Sequence, residues 1–544
     1  MPLTRREFLL DSAGTTLFAS TGRGRKPAAS QLFRHGVASG DPLTDKVILW
    51  TRLTVSDSRF WQSYRWVVAT DPSLEQIVCS GRGETSRQRD FTVKVDVDGL
   101  QSNRSYYYAF ESEGQWSDVG RTKTLPVGRV EHLRIAYTSC SNYARGYFNV
   151  YKELAQRSDL DVVLHLGDYI YEYADLEACV ATGRINVPLH ETVSLDDYRA
   201  RHACYKTDRD LQEVHRQHPF MVIWDDHEVA NNAWTGGADN HNDGEGDWQT
   251  RLSGAVQAYL EWMPIREPSS VDQGIYRSFR FGDLLDLSML DTRLAGRDAQ
   301  ADNTDERNRA DRTLLGYQQE SWYHSNLVVA QQEGIIWKLA GQQVMVGQLG
   351  TNEMPFNYDQ WDGYPAARQR LFETVEQAGV DNWVVLTGDI HSSWALELYQ
   401  DPFAEQPGKA LGVEFVTPAV TSPGIESRLQ ADMAASSLES LLPHLNFVDF
   451  YYRGYVLLDI TRERLQAEWW VVDNIESHRY ATDCLRALQV KAGESRLLPA
   501  EHISSSRQAA AAAPGFAPDL AFLRHWRPEP IANPGQYVAS RNQP

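Results

Sequence analysis

The sequence has no uninterrupted apolar run of about 18 residues, the length a spanning helix needs, so a transmembrane helix is not expected. Basic residues are in deficit. Against 73 Asp and Glu stand 53 Lys and Arg, a formal charge of −20, which argues against a bulk electrostatic affinity for nucleic acid or anionic lipid. An anionic substrate stays open, because bound cations invert the sign of a local site. Cysteine is sparse: Cys79, Cys140, Cys179, Cys204 and Cys484 form an odd set, so at least one is expected free or bound to metal. Cys179 and Cys204 lie in one insertion and can pair, although spacing alone fixes no connectivity. What is present, 42% hydrophobic and 23% charged residues over 544 positions, is the composition of an ordinary globular protein with two or three domains.

Thr4-Arg5-Arg6-Glu7-Phe8-Leu9 and the mildly apolar stretch after it read as a twin-arginine export signal, with a frayed basic terminus as the plainer alternative. Residues 1–30 are assigned to that signal region, which places the protein in the periplasm or outside the cell, exported by the twin-arginine machinery. Residues 31–127 hold β-rich runs such as 46–53, 64–69, 91–97 and 105–110 between Gly, Asp, Pro and Ser clusters. That texture predicts an N-terminal antiparallel β-sandwich of fibronectin III or Ig-like kind. From 128 to 510 strands alternate with helical spacing, the mark of β-α-β units. Strands are expected at 134–138, 161–166, 220–224, 284–290, 344–346 and 383–387, with polar irregular insertions at 292–334 and 425–446. Residues 511–544 form a tail in which Leu520 to Trp526 can pack as a terminal helix or cap.

The informative feature is where the buried strands end. One runs into Cys140, one into Asp168 with Tyr171 three residues on, one into Asp225-Asp226-His227-Glu228, and one into Asp389 and His391. Carboxyl ends of strands are where open α/β sheets gather their sites. Each element alone has a plainer reading: a turn for Gly-Asp, a buried thiol for Cys140, a helix cap for the acidic run. Together they suit two metal ions bridged by a shared aspartate. A phenolate with a thiolate favours a metal such as Fe(III), and the oxygen-rich positions suit Ca, Mn, Mg or Zn.

The series Thr138-Ser-Cys-Ser141, His165-Leu-Gly-Asp-Tyr-Ile-Tyr-Glu-Tyr173, Trp224-Asp-Asp-His-Glu-Val-Ala-Asn-Asn232, Leu290-Asp-Thr-Arg293 and Leu386-Thr-Gly-Asp-Ile-His-Ser-Ser-Trp394 resembles the alkaline phosphatase D family of calcineurin-like metallophosphoesterases. The resemblance implies a four-layer α-β-β-α catalytic domain beside the β-sandwich. It also implies Fe(III) with one or two Ca(II) ions, and hydrolysis of phosphate mono- and diesters at alkaline pH. Carried over, Cys140 takes a position where wider relatives have aspartate, Asp168 bridges, and Tyr171 is the phenolate on iron. Asp226 stands in the Asn-His-Glu position, Asn231 is a further oxygen ligand, and Asp389 with His391 replaces Gly-His-x-His, which favours a hard ion such as Ca.

The expected mechanism is in-line attack by a metal-bound hydroxide, with His227 protonating the leaving group or else orienting a ligand. Arg293 either clamps phosphate or pairs with Asp291. Gln342, Gln343 and His444 are weaker site-wall candidates. A phospholipase D-like diesterase acting on lipid head groups is the near alternative, since 16 Trp and 25 Tyr suit a lipid-facing rim as well as a packed core. A noncatalytic surface-binding protein is the alternative of another class. Phosphate-ester small molecules or phospholipid are the expected partners, with no specific nucleic-acid binding.

Overall fold

The computed structural model describes residues 31–56, 58–268, 274–350, 355 and 357–514. Residues 1–30, where an export signal is expected, and the Leu520–Trp526 segment lie outside the described residues. Two large sheets face each other. One runs in space through Leu498–Pro499, Thr482–Lys491, Arg464–Val472, Arg453–Thr461, His132–Thr138, Val162–His165, Pro219–Val222, Val37–Gly40, Val47–Arg52 and Thr92–Val97. The other runs through Arg277–Phe281, Leu285–Met289, Trp337–Gly341, Trp383–Thr387, Gly412–Val416, Ser393–Leu398 and Leu445–Asp449.

The central strands of both sheets are parallel. They are apolar nearly throughout because both faces are covered. Between the sheets Ile135, Tyr137, Leu287, Leu339, Leu386, Phe415 and Leu458 share one core. The aromatic tips reach across to carbonyls of the facing sheet: Tyr137 Oη donates to Phe415 O at 2.9 Å, Trp469 Nε1 to Val416 O at 2.9 Å and Trp337 Nε1 to Thr461 O at 2.7 Å. Buried Tyr and Trp need such partners, and here they fix the stacking of the two sheets. Helices Asn149–Gln156 and Arg209–Gln217 cover the outer face of the first sheet, and Gly316–Gln332 and Pro365–Gln377 cover that of the second. The result is the four-layer α-β-β-α core.

The N-terminal region is a sandwich, but one of its sheets is not its own. Val37–Gly40 pairs in parallel with Pro219–Val222 and hands the core sheet on to Val47–Arg52 and Thr92–Val97. Against that extension packs a separate five-stranded sheet built on Trp61–Ala69, Ile77–Ser86 and Ser105–Ser112. Leu49, Val93 and Val95 of the extension and Trp66, Val68, Tyr108 and Phe110 of the separate sheet fill one interior.

Three local expectations change. Val344–Val346 is no strand; the strand is Trp337–Gly341, and beyond it side chains replace the ladder. Gln360 Oε1 accepts from Met345 N at 2.6 Å, and the Glu414 carboxylate accepts from Val346 N and Gly347 N at 2.9 and 2.6 Å. The 292–334 insertion contains the helices Thr304–Arg307 and Gly316–Gln332, the latter burying Tyr323, Leu327 and Ala330 on one face. The 425–446 insertion contains the helix Arg428–Leu441. All five cysteines are free. Cys179 Sγ accepts from Asn186 N and Cys204 Sγ lies against Ile185 O. The Ile185–Asn186 peptide unit therefore stands between the two sulfurs and keeps them from pairing.

Candidate metal centre

Every sequence-predicted ligand but Asn231 sits just past the carboxyl end of a parallel strand: Cys140 after His132–Thr138, Asp168 and Tyr171 after Val162–His165, Asp226 after Pro219–Val222, and Asp389 and His391 after Trp383–Thr387. Four of them hold left-handed backbone, Cys140 at φ 61°, Asp168 at 55°, Asp389 at 60° and His391 at 57°. Such strain costs a non-glycine residue of order 1–3 kcal/mol and is characteristic of functional sites. Gly167 makes the turn possible. At φ 106° its built Cβ would lie 2.3 Å from Asp225 Cβ, so only glycine lets the two ligand loops touch.

One ligand atom from each of Cys140, Asp168 and His391 lies within 4.8 Å of the others, and the same holds for Asp168, Asp226 and His227, and for Asp225, Asp226 and Asp389. Asp168 is common to the first two groups, and Asp226 to the last two. Tyr171 Oη donates to Asp168 Oδ2 at 2.8 Å and lies 3.1 Å from His391 Nε2. Ser422 Oγ donates to Tyr171 Oη at 2.6 Å, and Pro423 O lies 2.9 Å from His391 Nδ1.

The chemistry of these donors fits cations. Asp168 Oδ1, Asp225 Oδ2 and Asp226 Oδ1 are buried without a hydrogen-bond partner, a costly state for carboxylates unless a cation meets them. Burial, reinforced by the Asp168 carboxylate, pushes the Cys140 thiol and the Tyr171 phenol well above their ordinary values. Burial outweighs Arg293 in raising Asp389 to about 6. A cation in their midst reverses each of these shifts.

The surrounding residues correct part of the sequence reading. Arg293 is no free phosphate clamp. Its Nε donates to Asp225 at 2.5 Å, Nη1 to both oxygens of Asp359 at 2.8 and 3.0 Å, and Nη2 to Asp389 at 2.8 Å. Asp291 accepts only its backbone N–H, at 3.0 Å. The guanidinium thus ties three loops together as a buried counter-charge.

Gln342 and Gln343 are structural: Gln342 Nε2 donates to Thr387 Oγ1 at 2.7 Å and Gln343 Oε1 accepts from Thr292 N at 3.0 Å. His444 lies elsewhere, 2.8 Å from Gln348 O and edge-on to Phe403. Asn231 reaches the site region through its backbone, whose N–H donates to Glu172 Oε1 at 2.7 Å.

Sequence patterning gave no role to Glu172 or Asp359, and none to Glu228 beyond its place in the Asp-Asp-His-Glu run. Glu228 accepts from Asp168 N, Tyr169 N and Asp225 N at 3.1, 2.5 and 2.8 Å, so one carboxylate sets the relative position of both ligand loops. Burial raises it to about 8. Glu172 Oε2 pairs with His227 Nδ1 at 2.6 Å. Burial works against a charged His227 ring, but the Glu172, Asp226 and Asp168 carboxylates prevail and hold it well above the usual imidazole range. The regular spacing Asp168-x-x-x-Glu172 carried a signal for Glu172; nothing local marks Asp359.

Two facing sheets with parallel centres that gather carboxylates, a thiol, a phenol and imidazoles at their strand ends define a hydrolase core of the α-β-β-α class. The PhoD-like phosphatase family matches residues 135–469, and the PhoD-like phosphatase N-terminal domain matches residues 19–126. Alkaline phosphatase D of Bacillus subtilis (strain 168) is 38% identical over 488 residues, covering 85% of this chain and 82% of that protein. The solved structure of PhoD is 36% identical and superposes with a TM-score of 0.80, covering 88% of this chain and 94% of that one. The chain belongs to the PhoD-like phosphatase family and is a phosphatase or phosphodiesterase hydrolase, which sets aside the noncatalytic reading. No helix among the described residues is long and apolar enough to cross a membrane.

Proposed function

We propose that the protein is exported by the twin-arginine route and hydrolyses phosphate mono- and diesters with Fe(III) and Ca(II). The supporting observation is the convergence of seven donor residues on buried, unpartnered carboxylate oxygens. Cys140, Asp168, Tyr171 and His391 would hold the iron; Asp225, Asp226 and Asp389 would hold calcium, with Asp168 shared. Bound cations supply positive charge for the phosphoryl oxygens and lower the pKa of water.

This chain's own residues do the rest. Among the described residues the two serines beside the donors are engaged, Ser141 Oγ with Tyr151 Oη and Ser422 Oγ with Cys140 O and Tyr171 Oη. Water therefore attacks phosphorus opposite the leaving oxygen. His227, oriented through Nδ1 by Glu172, gives the proton at Nε2 to that oxygen, the work of a general acid. The Glu172 carboxylate paired at Nδ1 favours the charged form of the ring. A panel of p-nitrophenyl phosphate, its bis-ester and phosphatidylcholine, run on metal-loaded and chelated protein, tests the reading. No hydrolysis of any ester by loaded protein would sink it. Retention of an Arg5→Lys, Arg6→Lys double variant in the cytoplasm tests the export route.

One observation favours lipid head groups as a second reading. Exposed apolar side chains flank the site on two insertions that spring from Tyr171 and Ser422: Leu176, Val180, Val187 and Leu189 on one, Leu429, Met433 and Leu441 on the other. Phosphatidylcholine turnover above that of the bis-ester would favour it.

A further inference from the structure

With Arg293 saturated by carboxylates, the residue that meets the substrate's own charge must lie elsewhere, and a second arginine at the site is uncommitted. Arg453 opens the strand Arg453–Thr461 and is 8% exposed. Its Nη1 donates to Tyr451 O at 2.8 Å and Tyr452 O at 3.4 Å, which fixes the plane of the guanidinium. Its Nε is buried with no partner, and among the described residues no carboxylate forms an ion pair with it. The carboxylate nearest in sequence, Asp449, is committed to Tyr451 N and Tyr452 N at 3.1 and 3.0 Å and faces Arg428 at 4.0 Å. Asp449 and Glu426 act on the guanidinium only from beyond ion-pair distance and do not offset its burial, so an arriving anion would supply the direct partner it lacks.

The place of this cation matters as much as its bareness. It packs on Gly424, whose built Cβ would lie 3.1 Å from Nη1, 3.2 Å from Nη2 and 2.9 Å from Phe450 O, so a side chain there would crowd the fork. Gly424 directly follows Pro423, whose carbonyl meets His391, and Ser422, whose hydroxyl meets Tyr171. One short segment, Ser422 to Gly424, thus touches both the guanidinium and the two candidate iron ligands. Arginine stays charged at any working pH and its fork matches paired phosphoryl oxygens.

We propose that Arg453 grips a non-bridging oxygen of the substrate's phosphoryl group. This rests on the phosphoester reading above. Arg453→Ala and Arg453→Lys holoenzymes are compared with wild type for bis-p-nitrophenyl phosphate hydrolysis, inorganic phosphate binding by calorimetry, metal content and Tm. A charge-assisted contact of about 1.5–3 kcal/mol corresponds to a roughly 10- to 100-fold weaker hold. The expected result is that rise in phosphate Kd and in KM for Arg453→Ala, at wild-type metal content, with partial rescue by added guanidinium and a smaller rise for Arg453→Lys. Unchanged phosphate Kd in either folded variant overturns the proposal, as does a loss that tracks loss of metal. Should the alanine variant not fold, the lysine variant decides by the same phosphate Kd. Wild-type protein that binds phosphate but hydrolyses no ester refutes the phosphoester reading, not the assignment of Arg453.

Discussion

Lys206 offers a test of the fold's electrostatics that does not involve the metal centre. Its ammonium is buried, 4.7 Å over the Trp50 ring and 5.0 Å over the Tyr169 ring, and its closest polar partner is His215 Nε2 at 3.5 Å. Among the described residues no carboxylate pairs with it, and burial alone lowers its pKa from 10.5 to about 7. The facing imidazoles stay neutral throughout the relevant range, since burial lowers His35 to about 2, His165 and His202 to about 3, and His215 well below its ordinary value.

The unfolded chain keeps the lysine proton up to pH 10.5 while the folded chain releases it near 7. Between those values the unfolded state binds more protons, so stability rises with pH. The window is 10.5 minus about 7, about 3.5 units; at about 1.4 kcal/mol per unit its ceiling is about 5 kcal/mol. Lys206→Met keeps the stem's packing and removes the proton. Urea unfolding of both proteins at pH 7, 8 and 9 reads the effect. The variant should be the more stable at pH 7, with its advantage shrinking by about 1 kcal/mol per pH unit. Parallel stability curves would refute the reasoning.

Removing Glu228 as Glu228→Ala strands three buried amide N–H groups; a destabilisation of at least about 3 kcal/mol in urea is expected, with bound metal and activity falling together. Arg293→Met leaves Asp225, Asp359 and Asp389 without their shared counter-charge, so the chelated protein should lose about 3–5 kcal/mol by thermal unfolding, and metal loading should return part of it. Gly167→Ala forces a Cβ to within 2.3 Å of Asp225 Cβ; loss of about 3 kcal/mol or more, or failure to fold, is expected in a denaturant melt. Alkylation followed by mass measurement on the native protein should find Cys179 and Cys204 as separate thiols.

The gathering of the candidate donors was legible because they follow strands whose apolar runs announce themselves. Cys140, Asp168, Tyr171, Asp226, Asp389 and His391 each stand a few residues past a buried strand, and backbone direction then brings them to one edge. What escaped are contacts made by side-chain reach across loops. Asp359 meets Arg293 from a loop without pattern, and the choice between a phosphate clamp and a counter-charge for Arg293 depends on three carboxylates from distant parts of the chain. Glu228 was visible as the last member of the Asp-Asp-His-Glu run but had no role of its own, and its carboxylate serves three amides of two loops. In the fold, alternation showed which segments are strands but not which edge they join. Val37–Gly40 therefore looked like part of a self-contained sandwich when it pairs with Pro219–Val222. Val344–Val346 failed as a strand because Gln360 and Glu414 side chains, not a neighbouring strand, take its amides.

The central claim, that the strand-end donors hold metal, is tested most directly by elemental analysis of the purified wild-type protein and Asp168→Asn side by side. Asp168 belongs to two of the three donor groups, so the wild type should carry iron and calcium and the variant should lose both. Equal metal content in the two proteins, or a wild type that hydrolyses phosphate esters while holding neither metal, would contradict it.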